Sequence, residues 1–128
     1  MFRNLDEKHR TTRTRQLELG ALIATDSNAA AAGFTCAVDL TRQAWSDVVR
    51  WDGDPRAQHE DDRLRAVLDA AFVQALQAAP GATRVPFSLD RVPNTPGAAR
   101  AEAVTLTLTM SRGDADEAVA TIRLQTDY

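Results

Sequence analysis

The 128-residue sequence has little of the chemistry that catalytic and metal sites use. It contains one cysteine, Cys36, and two histidines, His9 and His59. One cysteine cannot form an internal disulfide, so we expect a reducing compartment, the cytoplasm. A metal site needs several His, Cys or carboxylate ligands at set spacing, and neither histidine belongs to such a motif. We therefore predict no metal and no cofactor.

Long apolar runs are also missing. A helix needs about 20 mostly apolar residues to span a bilayer, and the apolar stretches here are far shorter. The first 15 residues, MFRNLDEKHRTTRTR, are charged and lack the apolar segment of a secretory signal. We therefore predict no association with a membrane.

Charge of both signs is abundant but unevenly distributed. Residues 1–15 hold five basic and two acidic side chains, net +3, whereas residues 16–128 hold ten basic and sixteen acidic, net −6. A basic segment on an acidic body is one pattern of a nucleic-acid-binding tail, and a solvated helix start is the simpler alternative that we favour. We expect residues 1–11 to form a flexible basic arm and residues 12–128 a single α+β domain.

Short elements separated by strong stop signals fill the first half of the chain. The predicted elements begin with a helix capped by Thr11 or Thr12 and ended by Gly20, followed by a strand at 21–25. The next helix, at 28–32, is capped by Asp26 or Ser27 and ended by Gly33. An extended segment at 34–40 then leads to a helix begun by Asp39 or Thr41. Trp45, Val48 and Val49 give the last of these helices an apolar face. This dense arrangement predicts a compact domain without internal linkers.

One long amphipathic helix is predicted from about Gln58 to Ala79, ended by Pro80 and Gly81. Its apolar side chains recur three and four residues apart: Leu64, Val67, Leu68, Ala71, Phe72, Ala75 and Leu76. Three carboxylates in the first turn suit the positive end of the helix dipole.

The remaining chain alternates apolar and polar residues, which predicts strands at 84–92, 103–110 and 118–126. One apolar and one polar face indicate an antiparallel hairpin or meander, with Pro86 at an edge or bulge. The predicted fold class is α+β, with N-terminal short helices and one long amphipathic helix packed on a C-terminal antiparallel sheet. An exposed edge at 84–92 or 118–126 offers a surface for a homodimer.

Catalytic chemistry is poorly represented. Cys36 lies between Phe34 and Val38, where it reads as a small buried hydrophobe. Gly20 and Gly33 are isolated helix stops, so no phosphate-binding loop is present. The carboxylates from Asp52 to Asp62 would need an apolar pocket to separate their pKa values for acid–base work, and their loop is polar. A small enzyme using Cys36 or these carboxylates is the weakest hypothesis, and we assign no catalytic residue.

A partner-binding surface is the stronger interpretation of the same region. An indole at a helix end next to clustered carboxylates can bind a basic protein surface, although the carboxylate cluster alone favours a capped, solvated helix start. The predicted partner-binding residues are Trp51, Asp52, Asp54, Glu60, Asp61 and Asp62.

Three segments in order carry a resemblance. They are TRTRQLELGALIATD…AAAAGF…VDLTRQAWSDVVRW, DDRLRAVLDAAFVQAL and VPFSLDRVP…AEAVTLTLTM…ATIRLQ. Together they resemble a family of small uncharacterised proteins, a domain of unknown function carried by bacterial plasmids, conjugative elements and phages. The resemblance implies a shared fold and no established catalytic residues. It also implies a setting near anti-restriction and other defence-evasion genes.

The leading hypothesis is therefore a non-enzymatic protein-binding inhibitor of a bacterial defence system, of the anti-CRISPR or anti-restriction type, encoded by a mobile element. Its partner would be a host defence complex that presents a basic, nucleic-acid-binding surface. The alternative is a nucleic-acid-binding accessory factor that uses the Arg-rich segment from Arg3 to Arg15. We rank direct nucleic-acid binding below protein binding.

Overall fold

The computed structural model describes residues 12–125. The predicted basic arm, residues 1–11, lies outside the described residues. The helices are α1 (Arg13–Glu18), α2 (Ser27–Ala32), α3 (Arg42–Val48) and α4 (Glu60–Gln77), and the strands are β1 (Leu22–Ala24), β2 (Ala37–Thr41), β3 (Arg84–Arg91), β4 (Glu102–Arg112) and β5 (Ala118–Leu124). Helices and a C-terminal sheet confirm the predicted α+β class.

All five strands form one mixed sheet in the order β1-β2-β5-β4-β3. The antiparallel pairing of β3, β4 and β5 is the predicted meander. The two N-terminal strands extend this sheet, because β2 pairs in parallel with β5 and β1 pairs antiparallel with β2. The long crossover through α3, α4, β3 and β4 makes the parallel pair possible.

The sheet order decides which strands have a free edge. β5 lies between β2 and β4, so the expectation of an exposed edge at 118–126 is wrong for residues 118–124. β3 is an edge strand, and the exposed Pro86 within it fits the preference of proline for edges.

The core lies between the sheet and the helices α2, α3 and α4. Its fully buried members from the sheet are Val38, Leu40, Leu106, Leu108, Ala120 and Ile122, and those from the helices are Ala29, Ala44, Val48, Val67, Leu68 and Ala71. The predicted stripe of α4 thus faces the sheet.

The apolar stripe of α4 loses its cover at the C-terminal end. Phe72 packs edge-on against Phe34, with ring centroids 5.2 Å apart, and a Cβ on Gly33 would lie 2.7 Å from the Phe72 ring. Leu76 lies one turn beyond Phe72 and is 70% exposed, so the prediction that Leu76 joins the buried stripe is wrong. Ala75 and Ala78 on either side of Leu76 remain partly buried against the core.

The outer face of the sheet is less solvated than predicted. Alternation places Asp39 and Thr121 on the face opposite Val38 and Leu40, yet Asp39 is 0% exposed and Thr121 only 4%. The first helix, α1, lies next to β1, and its Arg13 side chain reaches Asp39. The expectation of one fully wet face is therefore wrong in this region.

Two of the predicted helix caps are confirmed. The Thr12 hydroxyl accepts a hydrogen bond from the Arg15 backbone N–H, and the Thr41 hydroxyl accepts one from the Ala44 N–H. These caps fix where α1 and α3 begin.

Candidate functional site

The predicted partner-binding residues lie together in the loop that follows α3 and in the first turn of α4. We call this region the Trp51 corner, meaning residues 50–62 and the facing loop at 92–98. The corner connects the end of α3 to the start of α4, and the loop at 92–98 follows β3. Most of its residues are exposed, and Trp51 is half-buried.

Trp51 is held by hydrogen bonds from its backbone and its indole, and by contacts of its ring with Gly53 and Arg63. Its backbone N–H donates to Glu60 Oε2 at 3.0 Å, and its indole Nε1–H donates to the Asp54 carbonyl at 2.9 Å. A Cβ on Gly53 would lie 2.6 Å from the indole, so only glycine allows this close approach. The Arg63 guanidinium carbon lies 5.1 Å from the centroid of the Trp51 ring, within cation–π range. Trp51 is thus an anchor of its own loop.

Arg63 is a buried charged residue in the first turns of α4, with 1% exposure. Its Nε donates to the Val49 carbonyl at 2.9 Å, and its Nη1 donates to the Val92 carbonyl at 3.0 Å and to Gln58 Oε1 at 3.3 Å. The side chain therefore ties the end of α3 to the loop after β3.

A second buried arginine lies beside it. Arg91, 7% exposed, donates from Nη2 to the Arg63 carbonyl at 3.2 Å. Burial and the nearby Arg91 charge lower the pKa of Arg63 to about 10, and burial lowers the pKa of Arg91. Arg63 still carries its charge at neutral pH. Within residues 12–125, Arg63 Nη2 and Arg91 Nε have no hydrogen-bond partner.

Asp52 and Asp54 are held by neighbouring side chains. The Asp52 backbone N–H donates to Asn94 Oδ1 at 2.8 Å, Asn94 Nδ2 donates to Asp52 Oδ2 at 3.1 Å, and Arg50 Nε lies 3.2 Å from the same oxygen. Asp54 accepts the Arg56 backbone N–H at 2.9 Å and its Nε–H at 3.3 Å. These hydrogen bonds, led by Asn94 for Asp52 and by the Arg56 backbone for Asp54, lower the pKa of both carboxyls.

The remaining carboxylates lie in the first turn of α4. Glu60 is engaged by the Trp51 N–H, whereas Asp61 and Asp62 are exposed and, in the described part of the chain, have no ion-pair partner. Between residues 50 and 65 the chain has five acidic and four basic side chains. The corner is therefore nearly balanced in charge, and its free negative charge is concentrated at Asp61 and Asp62.

A cleft of about 440 Å³ opens beside the corner. It is lined by residues 51–54, Ala57 and residues 94–98. This volume lies within the range of protein sites that hold small molecules or single side chains of a partner.

Cys36 and His59 lie at the starts of different elements. Cys36 is half-buried just before β2 and packs against the core. His59 is the N-cap residue of α4 but makes no side-chain cap bond, and His9 lies outside the described residues. Over residues 12–125, no three His, Cys, Asp or Glu side chains are placed to hold a metal ion.

A second charged site lies on the outer face of the sheet. Arg13 donates to Asp39 through Nε at 2.6 Å and Nη2 at 2.9 Å, and hydrogen bonding to Asp39 is the main cause that raises the pKa of Arg13. Asp114, in the β4–β5 turn, accepts the backbone N–H groups of Arg13 and Thr14 and the Thr14 hydroxyl. Arg15 is exposed beside Glu18. Arg13 is thus engaged within the domain.

Sequence reasoning missed Arg63, Arg91 and the Arg13–Asp39 pair. Two of these had a signal. Arg63 lies four residues before Val67 on the buried stripe of α4, and Arg91 continues the inward alternation of β3. The contact of Asn94 with Asp52 had no signal in the sequence, because 42 residues separate the two.

Comparison with models of protein families, with curated proteins and with solved structures finds no match. Among the described residues no helix is both long and apolar enough to cross a membrane.

Proposed function

We propose that this chain is a non-enzymatic binding protein that inhibits a bacterial defence complex, of the anti-CRISPR or anti-restriction type, through the Trp51 corner. The partner surface would be a basic, nucleic-acid-binding one on the host complex. The observation that carries the proposal is a solvent-exposed corner whose two loops are joined at their bases by a buried arginine, Arg63.

The buried guanidinium of Arg63 supports a functional role for the conformation of the Trp51 corner. A buried donor without a partner costs about 1–3 kcal/mol, and more when the group is charged. Arg63 keeps one such donor, Nη2, close to the like-charged Arg91, while its other donors fix the loop ends at Val49 and Val92. Features that oppose stability often lie at functional sites, where a fixed geometry is required.

A fixed loop also favours binding. Ordering a side chain or loop on association costs free energy, so a surface ordered beforehand binds more tightly for the same contacts. Within the corner, Asp52, Asp54 and Glu60 hold the loop, whereas Asp61 and Asp62 present free carboxylates. We propose that these last two contact the basic partner and that the adjacent cleft receives one of its side chains.

The defence part of the proposal rests on the resemblance to small proteins of mobile elements. It is tested by phage plaquing on paired strains that carry or lack one restriction or CRISPR system. We expect the full chain to raise plaquing only where the system is present, and to bind the purified effector complex with an affinity that falls as salt increases.

Matched variants test whether protection depends on the Trp51 corner or is lost with any change of surface charge on α4. Asp61→Asn combined with Asp62→Asn should abolish protection, and Gly53→Ala should weaken it by displacing the Trp51 indole. Asp69→Asn removes an exposed carboxylate from the same helix, next to Arg65, and should leave protection unchanged. Equal protection by the Asp61/Asp62 double variant, or no protection by the wild-type chain against any system tested, would contradict the proposal.

A further inference from the structure

Arginine side chains are concentrated around two clefts beside α1, although most of the chain carries a net negative charge. Residues 16–128 hold ten basic and sixteen acidic side chains, so composition does not predict a basic surface there. A cleft of about 180 Å³ has Arg13, Arg112 and Arg123 in its walls. A neighbouring cleft of about 460 Å³ shares Arg123 and adds Arg42. Four arginines thus line two adjoining clefts.

Acidic charge is scarce in the same walls. Asp39 is the single acidic residue among the described residues that line either cleft. Both of its carboxylate oxygens accept hydrogen bonds from Arg13, at 2.6 Å from Nε and 2.9 Å from Nη2. This pair cancels one charge of each sign and holds the Arg13 guanidinium in place. The other three arginines therefore leave an excess of positive charge in the walls.

Arg123 is anchored in a way that leaves its two terminal nitrogens available. Its Nε donates to Thr109 Oγ1 at 3.2 Å, and that hydroxyl donates in turn to the Thr121 carbonyl at 3.2 Å. Within residues 12–125, Arg123 forms no ion pair, and its Nη1 and Nη2 donate no hydrogen bond. The two terminal nitrogens of one guanidinium match two oxygens of a phosphate group.

Arg112 is held only by an exposed turn. Its Nη1 donates to the Asp116 carbonyl at 3.2 Å, and its Nε lies 4.0 Å from Asp116 Oδ1, with the two side chains 71% and 87% exposed. Exposed ion pairs of this kind contribute little to stability, so an anion in the cleft can compete for Arg112. Ser111 and Thr121 add hydroxyl groups, which can donate to an anion, to the walls of the same cleft.

We propose that the arginine cluster, meaning Arg13, Arg42, Arg112 and Arg123, is a binding site for a phosphate group. Phosphate suits the cluster because its oxygens point in several directions and can accept from guanidiniums on different sides, whereas the two oxygens of a carboxylate lie in one plane. The smaller cleft receives the phosphate, and the larger one, beside Arg42, receives the rest of the ligand. A small phosphomonoester and a nucleic-acid backbone both present this chemistry. The inference does not use the Trp51 corner and is independent of the function proposed above.

The site is tested by titrating inorganic phosphate into the isotope-labelled full-length chain and following backbone amides by NMR. We expect saturable shifts at Ser111, Arg112 and Arg123, and none from chloride at the same ionic strength. Adenosine monophosphate and an oligodeoxynucleotide without terminal phosphates then distinguish the two sources. Tighter binding of the monophosphate at these amides identifies a phosphomonoester ligand, and tighter binding of the oligonucleotide identifies a nucleic acid.

Matched arginine variants assign the binding to this cluster. Arg112→Gln and Arg123→Gln should each weaken phosphate binding about tenfold, because each removes charge-assisted hydrogen bonds. Arg123→Lys keeps the charge but loses the fork of donors, so it should bind more weakly than the wild type. Arg65→Gln is the control and should bind as the wild type does, since Arg65 is exposed and pairs with Asp69 on α4.

Circular dichroism identifies which variants are folded, and the exposed position of Arg112 keeps the test valid if Arg123→Gln does not fold. The inference is overturned if phosphate causes no saturable shift at the three amides or if chloride reproduces the shifts. It is also overturned if a folded Arg112→Gln chain binds phosphate as tightly as the wild type.

Discussion

At Arg63, a charged side chain occupies a position that the helical pattern reserves for an apolar one. Its guanidinium joins the end of α3 to the loop after β3, because it donates hydrogen bonds to the carbonyls of Val49 and Val92. Its aliphatic stem lies in the buried stripe of α4, while its guanidinium lies against Trp51. One side chain thus joins the core to the Trp51 corner.

We expect Arg63→Ala to lower the free energy of unfolding by about 3–5 kcal/mol, because it leaves buried carbonyls without donors and opens a cavity. Arg65→Ala is the matched control. Arg65 is exposed and pairs with Asp69 on the same helix, so its loss should cost under about 1 kcal/mol. Urea unfolding followed by tryptophan fluorescence measures both, and equal losses would show that Arg63 has no special role.

At the scale of elements, α1 is tied to the opposite end of the chain. Thr14 lies 100 residues from Asp114, whose carboxylate replaces the hydrogen-bond partners that the first turn of a helix lacks. The Thr14 hydroxyl and backbone N–H, followed by the Arg13 N–H, lower the pKa of Asp114 below its ordinary value of 3.8.

This shift predicts an acid-sensitive start of α1. A carboxyl with a depressed pKa stabilises the folded form above its ordinary pKa, and that stabilisation disappears as the pH falls through the lowered value. We expect the amides of Arg13 and Thr14 to lose protection from hydrogen exchange below about pH 4 while the core strands keep theirs. Asp114→Asn should leave these amides poorly protected at every pH. Protection that is unaffected by the substitution would contradict the assignment.

The helices and the C-terminal strands could be read from the sequence to within a few residues. The long helix was predicted at about 58–79 and spans Glu60–Gln77, and the strands predicted at 84–92 and 103–110 correspond to β3 and β4. Such elements follow from local periodicity and caps. The role of Asp52 could not be read in the same way, because its contact with Asn94 forms only once the two loops meet. The ion pairs of Asp52 with Arg50 and of Asp54 with Arg56 join residues only two positions apart.

At the scale of the whole molecule, the parallel pair of β2 and β5 joins the two halves of the chain. β5 has a partner on each side, whereas β3 has one only at its inner side. We predict that amides of β5 exchange most slowly and that outward-facing amides of β3 exchange much faster. Native-state hydrogen exchange measures this order. Equal protection of β3 and β5 at high protein concentration, lost on dilution, would reveal a homodimer through the β3 edge.

The sequence by itself determined the class of fold and, to within a few residues, the spans of the long helix and the C-terminal strands. It limited the caps to Thr11 or Thr12 for α1 and to Asp39 or Thr41 for α3, because these features depend on neighbours within a few residues. Only the tertiary structure decided that β1 and β2 extend the same sheet and that Asp39 meets Arg13. It also decided that Asn94 contacts Asp52. Each of these rests on contacts between distant segments, whose burial and charge pairing the local pattern does not encode.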